Sequence, residues 1–185
     1  MLRGQFVTSI LICLALVVSI PAFAKTSGKV RTEVNRVIIH SIGGPYCKNG
    51  SVVYSPADGD AKRWIGFFNR HRVLGIHYVI DKKGNIEAGV PENQIANHAK
   101  GQNRDSIGIE LINRGDGVDQ FTEPQLGMLV AALRSIMKRW GIKKSAILAH
   151  AAVDSRHFEC GGKRVKAKPD PGPAFPWNRV LELIP

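Results

Sequence analysis

The chain reads as an α/β protein: one domain with a mixed central β-sheet flanked by helices. Three observations predict it. Short apolar runs of strand length recur at residues 37–40, 76–80, 106–112 and 147–150. A strongly amphipathic helical pattern separates the last two, at 122–140. Once a leader is removed, 185 less 24 leaves 161 residues, the size of one domain with a real core. Alternating strands and helices of this kind imply a sheet with helices packed on it.

The elements follow in order. Residues 1–24 read as a secretory signal peptide, with Arg3 as the positive end, an apolar run at 10–20, and Ala22-Phe23-Ala24 as a small-x-small cleavage pattern. The run falls short of the ~20 apolar residues that a spanning helix needs, so cleavage is expected and no stable membrane insertion after it. Residues 25–32 are polar and are expected to fray. Val37-Ile38-Ile39-His40 is a buried strand ending in a polar residue. Residues 41–60 are rich in Gly, Pro, Ser and Asp and read as one long loop. A helix is predicted over 61–71, with Trp64, Phe67 and Phe68 on one side. Two β-like runs, 76–80 and 85–89, flank the turn Asp81-Lys82-Lys83-Gly84. Residues 106–112 form another strand. The helix at 122–140 opens with a capping box, Thr122 and Gln125, and stops at Gly141. Its face of Leu126, Leu129, Leu133, Ile136, Met137 and Trp140 is core. A short strand at 147–150 and a closing helix at 177–184 complete the pattern. No internal repeat is present.

The chain is basic, with formal net charge +11. With Arg3 removed, 25 basic side chains face 15 acidic ones, leaving +10. An exported basic protein meets anionic surfaces or polymers rather than nucleic acid, and cell wall is the expected partner. The expected location is the periplasm or the extracellular space, and a monomer is expected. Cys47 and Cys160 remain in the mature chain. Export permits a disulfide between them; the competing reading makes Cys160 a metal thiolate with His157 three residues before it.

The most telling stretch is Lys168-Pro169-Asp170-Pro171-Gly172-Pro173. Its three prolines exclude helix and central strand, so Lys168 and Asp170 sit on a stiff loop. A hydrolytic zinc site takes three protein ligands and keeps a fourth position open. His40 and His150 each end an apolar strand, and Asp170 completes a His₂Asp set. The separations alone are not diagnostic, and a strand-end histidine is commonly a hydrogen-bonded structural residue. Glu110, between Ile109 and Leu111 on a strand, faces away from them; it is a base, a surface carboxylate or a buried ion-pair partner. Lys168 is an oxyanion donor or a solvated loop lysine. No Gly-x-Ser-x-Gly elbow is present, which disfavours a serine hydrolase.

Several ordered motifs together resemble one family. They are Val37-Ile38-Ile39-His40; Gly75-Ile76-His77-Tyr78-Val79-Ile80-Asp81; His98-Ala99-Lys100-Gly101 with Asn103 and Ser106-Ile107-Gly108-Ile109-Glu110; Leu148-Ala149-His150; and Lys168-Pro169-Asp170-Pro171-Gly172-Pro173-Ala174-Phe175. The chain resembles the zinc-dependent N-acetylmuramoyl-L-alanine amidases, the superfamily shared with peptidoglycan recognition proteins. The resemblance implies that fold, over residues 25–185. It implies one Zn²⁺ on His40, His150 and Asp170, with Glu110 and Lys168 as catalytic groups. The implied reaction cleaves the amide between N-acetylmuramic acid and L-alanine in peptidoglycan or muropeptides. His77, His98 and Asn103 are expected along the substrate groove, with His77 also able to support a ligand from behind. The alternative is a recognition protein that binds peptidoglycan without cutting it. Two departures stand out: Ile76 where the phage enzyme has a tyrosine, and extra length at 157–165.

Overall fold

The structure is a computed structural model that describes residues 26–185. The leader expected at 1–24 lies outside the described residues.

The chain forms β1 (Thr26–Val30), β2 (Arg36–Ser41), β3 (Pro45–Lys48), β4 (Ser51–Tyr54), α1 (Ala61–Arg70), β5 (Tyr78–Ile80), β6 (Ile86–Ala88) and β7 (Gln94–Ala96). Then come β8 (Ser106–Leu111), α2 (Glu123–Trp140), β9 (Ile147–Ala149), α3 (His150–Val153), β10 (His157–Cys160), β11 (Lys163–Lys166) and α4 (Trp177–Glu182). The central sheet has the order β6-β5-β8-β2-β9. Only β5–β6 is antiparallel; β5–β8, β8–β2 and β2–β9 are parallel, so the sheet is mixed.

Alternation along the parallel strands sorts side chains to two faces. Val37 and Ile39 of β2, with Ile107, Ile109 and Leu111 of β8, join Leu126, Leu129, Leu133 and Ile136 of α2 in the larger core. Phe175, Val180 and Ile184 close that core from the C-terminal end. The opposite face packs against α1 through Ile65 and Phe68, which meet Ile76, Val79 and Ile112. His40, Gly108 and Glu110 alternate onto this second face. The sheet thus packs on both faces, and the polar residues emerge on the second, beside α1.

Four features depart from the sequence expectation. Residues 26–30 are a strand, pairing antiparallel with β7 rather than fraying. Arg31, 8% exposed, anchors this edge: its guanidinium donates to the carbonyls of Glu92, Asn103, Arg104 and Ser106. The loop 41–60 contains the hairpin β3–β4, and residues 157–166 form a second hairpin, β10–β11. The capping box is only half made. Thr122 Oγ1 accepts from the Gln125 backbone N–H, but the Gln125 side chain donates inward to the carbonyls of Ile80 and Ile112. Buried carbonyls at the ends of β5 and β8 outcompete a cap that water can also satisfy.

The two hairpins are bonded through Cys47 and Cys160, whose Cα atoms are 5.4 Å apart. This bond closes a loop of 113 residues. Closing so long a loop restricts the unfolded chain, by about 2–5 kcal/mol in small exported domains. A Cys47→Ser/Cys160→Ser protein is therefore expected to unfold at lower denaturant, with a steeper slope because the unbridged denatured chain exposes more surface. Chemical denaturation monitored by tryptophan fluorescence checks this; an unshifted midpoint would refute it.

Candidate active site

Three parallel strands deliver the polar residues to one place. His40 lies at the carboxyl end of β2, Glu110 at the carboxyl end of β8, and His150 immediately after β9. His40 and Glu110 are direct neighbours across the β2–β8 ladder, so their side chains share a face. Ligands of open α/β sheets bind at this end of the strands. The fourth contributor, Asp170, comes from the proline-stiffened loop. Gly172 makes that loop possible: its φ is +93°, and a Cβ there would stand 2.4 Å from the Gly115 carbonyl oxygen. The Asp170 carbonyl accepts from the Ala151 N–H, tying the loop to α3.

His40 Nδ1 and His150 Nδ1 are 3.0 Å apart. Asp170 Oδ2 lies 2.9 Å from His150 Nδ1 and 3.2 Å from His40 Nδ1. All three residues are buried. Two imidazole nitrogens and a carboxylate oxygen so close together present converging lone pairs. Ligands on a tetrahedral ion at about 2.0–2.1 Å stand about 3.3 Å from one another. The spacing and the donor chemistry fit a zinc ion held by His40, His150 and Asp170.

Burial alone would raise the Asp170 carboxyl, but hydrogen bonds from His150 and His40 hold it well below the usual carboxylate range. Burial pushes the His40 imidazole down, so the neutral, ligand-competent form is favoured. Behind His150, Asp154 Oδ2 is 3.6 Å from Nε2. The Arg156 guanidinium grips that carboxylate from the other side and holds it ionised.

These residues floor a cleft of about 370 Å³, lined also by Glu110, Lys168, Ser41 and the apolar side chains Trp64, Phe67 and Leu74. Glu110 Oε2 is buried and meets no hydrogen-bond partner among the described residues. Burial, reinforced by the negative charge of Asp170 and opposed by Lys168, pushes the Glu110 carboxyl up to about 8. A cation on the three ligands would draw it back down. An unsatisfied carboxyl oxygen aimed into a cleft is poised to take a proton from something that enters it.

The structure thus brings together His40, His150, Asp170, Glu110 and Lys168. Of the other three predicted residues it places His98 on the cleft, as expected, and engages His77 and Asn103 within the protein. His77 is fully buried; its Nδ1 accepts from the Gly108 N–H, and Arg31 Nη2 lies 3.0 Å from its Nε2. Asn103 spends its amide on the loop, accepting from the His98 and Ala99 N–H groups and donating to Asn97. His98 touches the cleft, but both its ring nitrogens are engaged inside the protein, with His40 and Ser106. The sequence reading missed the apolar cleft wall of Phe67 and Leu74, each 40% exposed. Its signal was apolar residues on and just after a short helix, beyond what the core could absorb. Cys160 is in the disulfide, which leaves no thiolate for a metal.

The family model for N-acetylmuramoyl-L-alanine amidase matches residues 30–173, and the chain belongs to that family. It is 26% identical over 174 residues to the N-acetylmuramoyl-L-alanine amidase A of Achromobacter lyticus, covering 89% of this chain and 90% of that one. It is 32% identical over 134 residues to the endolysin of Enterobacteria phage T3, covering 70% of this chain and 83% of the relative. Among solved structures, the fold matches the amidase AmiD of E. coli, solved in complex with anhydro-N-acetylmuramic acid-L-Ala-D-gamma-Glu-L-Lys. That likeness has TM-score 0.58 at 23% identity, over 86% of this chain and 60% of AmiD.

Proposed function

We propose that this protein is an exported, zinc-dependent amidase that splits the bond between N-acetylmuramic acid and L-alanine in peptidoglycan or its fragments. The observation that carries the reading is the meeting of His40 Nδ1, His150 Nδ1 and Asp170 Oδ2 beside the unpartnered Glu110 Oε2 on the wall of one cleft. When bound, a zinc ion would supply Lewis-acid polarisation of the lactyl carbonyl and acidify water in the cleft.

The chain's own groups do the rest. Glu110 orients the attacking water and takes its proton at Oε2. It then hands that proton to the alanine nitrogen as the amide breaks. Lys168, on the same loop as Asp170, donates to the oxygen on which negative charge develops. The apolar wall of Trp64, Phe67 and Leu74 excludes water from the opposite side of the cleft.

Export rests on the leader at 1–24 and is consistent with the disulfide, which persists in oxidising compartments. No helix among the described residues is long and apolar enough to cross a membrane.

The direct test is digestion of purified sacculi and of soluble muropeptides, with and without chelator, followed by mass spectrometry of the products. Free stem peptides that appear only without chelator are expected. Binding to sacculi with no released peptide would instead support a recognition protein. A Lys168→Ala protein is expected to keep its zinc and lose roughly 10²–10³ in kcat, the usual cost of one oxyanion donor. Full activity with full metal content would remove Lys168 from the reaction.

A further inference from the structure

His98 was expected to face substrate, but its surroundings assign it another task. Its ring stands edge-on to His40, with centroids 5.1 Å apart. His98 Nδ1 is 3.0 Å from His40 Nε2, and His98 Nε2 is 3.0 Å from Ser106 Oγ. Ser106 Oγ is in turn 2.6 Å from the backbone carbonyl of Gln102.

The direction of this chain is decided at its far end. A carbonyl only accepts, so the single Ser106 hydroxyl proton points at Gln102. Ser106 Oγ must then accept from His98, which places the His98 proton on Nε2. A neutral His98 with its proton on Nε2 offers a lone pair at Nδ1, and that lone pair accepts from His40 Nε2. With Nε2 committed to His98, His40 turns Nδ1 toward His150 and Asp170, the side on which a metal would be held. The reverse direction would set the Ser106 oxygen and the Gln102 carbonyl acceptor to acceptor at 2.6 Å.

We propose that the Gln102–Ser106–His98 chain is a positioning device that presets the His40 tautomer and ring angle for metal binding, before any metal arrives. The proposal rests on the reading of His40 as a zinc ligand.

The surrounding sequence is built for this ring. Ser106, Gly108 and Glu110 alternate onto one face of β8. Ser106 holds His98, Glu110 reaches the cleft, and Gly108 between them makes room. A Cβ at Gly108 would stand 2.6 Å from His98 Cγ and Nδ1 and 2.7 Å from Ile76 Cδ1. Asn103 fixes the His98 backbone by accepting from two successive N–H groups. The two imidazoles are therefore held differently: His150 Nε2 makes no hydrogen bond among the described residues, with the Arg156-gripped Asp154 carboxylate 3.6 Å away, while His40 Nε2 meets an imidazole whose orientation a backbone carbonyl dictates.

Groups behind a ligating histidine typically change metal affinity 10–100-fold. Zinc dissociation constants, from competition with a chromophoric chelator, should rise by that factor in His98→Ala. His98→Gln retains a side-chain oxygen that can accept from His40 and should recover most of the affinity. Ser106→Ala removes the direction-setting hydroxyl and should fall between the two. Long-range ¹H–¹⁵N spectra of the metal-free wild type should show His40 protonated on Nε2, and in Ser106→Ala a mixture of tautomers. Circular dichroism establishes that each variant is folded; should His98→Ala not fold, the tautomer spectra and Ser106→Ala carry the test.

A metal-free wild-type His40 with no proton on Nε2 would overturn the proposal. So would a folded His98→Ala protein that binds zinc as tightly as wild type. A raised KM with unchanged zinc affinity would return His98 to the substrate surface and overturn it as well. A wild type that binds zinc but cleaves no muropeptide would sink the amidase reading, while the tautomer and affinity results would still stand.

Discussion

Asp170→Asn is expected to strip the protein of zinc and abolish release of stem peptide. The substitution conserves shape and removes one charge. What remains is two neutral imidazoles 3.0 Å apart, facing an amide that binds zinc far more weakly than a carboxylate. A metal site that polarises a carbonyl and acidifies water supplies several kcal/mol to the transition state. At 1.4 kcal/mol per factor of ten, its loss costs about 10³-fold or more in kcat/KM. Elemental analysis and product release measured on the same preparation check both halves. A variant with wild-type activity and no zinc would dismantle the metal-centred account.

Glu110→Gln is the second large effect, of the opposite kind: zinc stays and the rate falls by about 10²–10⁴, the usual contribution of a positioned general base. The metal-free protein offers a second readout through stability. With the folded-state carboxyl raised from 4.5 to about 8, native Glu110 holds its proton more tightly than the unfolded chain does. That stability is fully present below about pH 4.5 and drains away as pH rises to about 8. The slope approaches 1.4 kcal/mol per pH unit within this window. Glutamine does not titrate. Metal-free Glu110→Gln should therefore overtake metal-free wild type in urea midpoint as pH rises from 5 to 8. Parallel curves for the two proteins across that range would show that Glu110 is not confined as the structure has it.

Much of the site was legible in the chain because it sits at strand ends. An apolar run closing on a histidine, as in Val37-Ile38-Ile39-His40, carries its own notice that a polar group is held at the edge of a sheet. The proline-bound Asp170 was legible for a similar reason, since few loops are so constrained by composition. The hairpin at 157–166 was not. His157-Phe158-Glu159-Cys160 alternates too briefly and too polarly to separate strand from loop, and it exists because Cys160 and β11 hold it. Residues 26–30 likewise become a strand only because β7 and the buried Arg31 receive them.

His98 marks the boundary between the two kinds of information. Residue types, strand ends and turn chemistry were determined locally: which side chains alternate onto one face of β8, where the long helix is capped and stops, which loop is stiff. These follow from period, propensity and proline geometry, all short-range. Only the tertiary structure decided that three candidate ligand atoms meet within hydrogen-bond distance across 110 and 20 residues of separation, and that the cleft histidine His98 has both ring nitrogens engaged with protein groups. The physical reason is that hydrogen-bond direction in a buried network belongs to the whole network. A carbonyl at Gln102 constrains a lone pair on His40, and no local reading of either residue contains that fact.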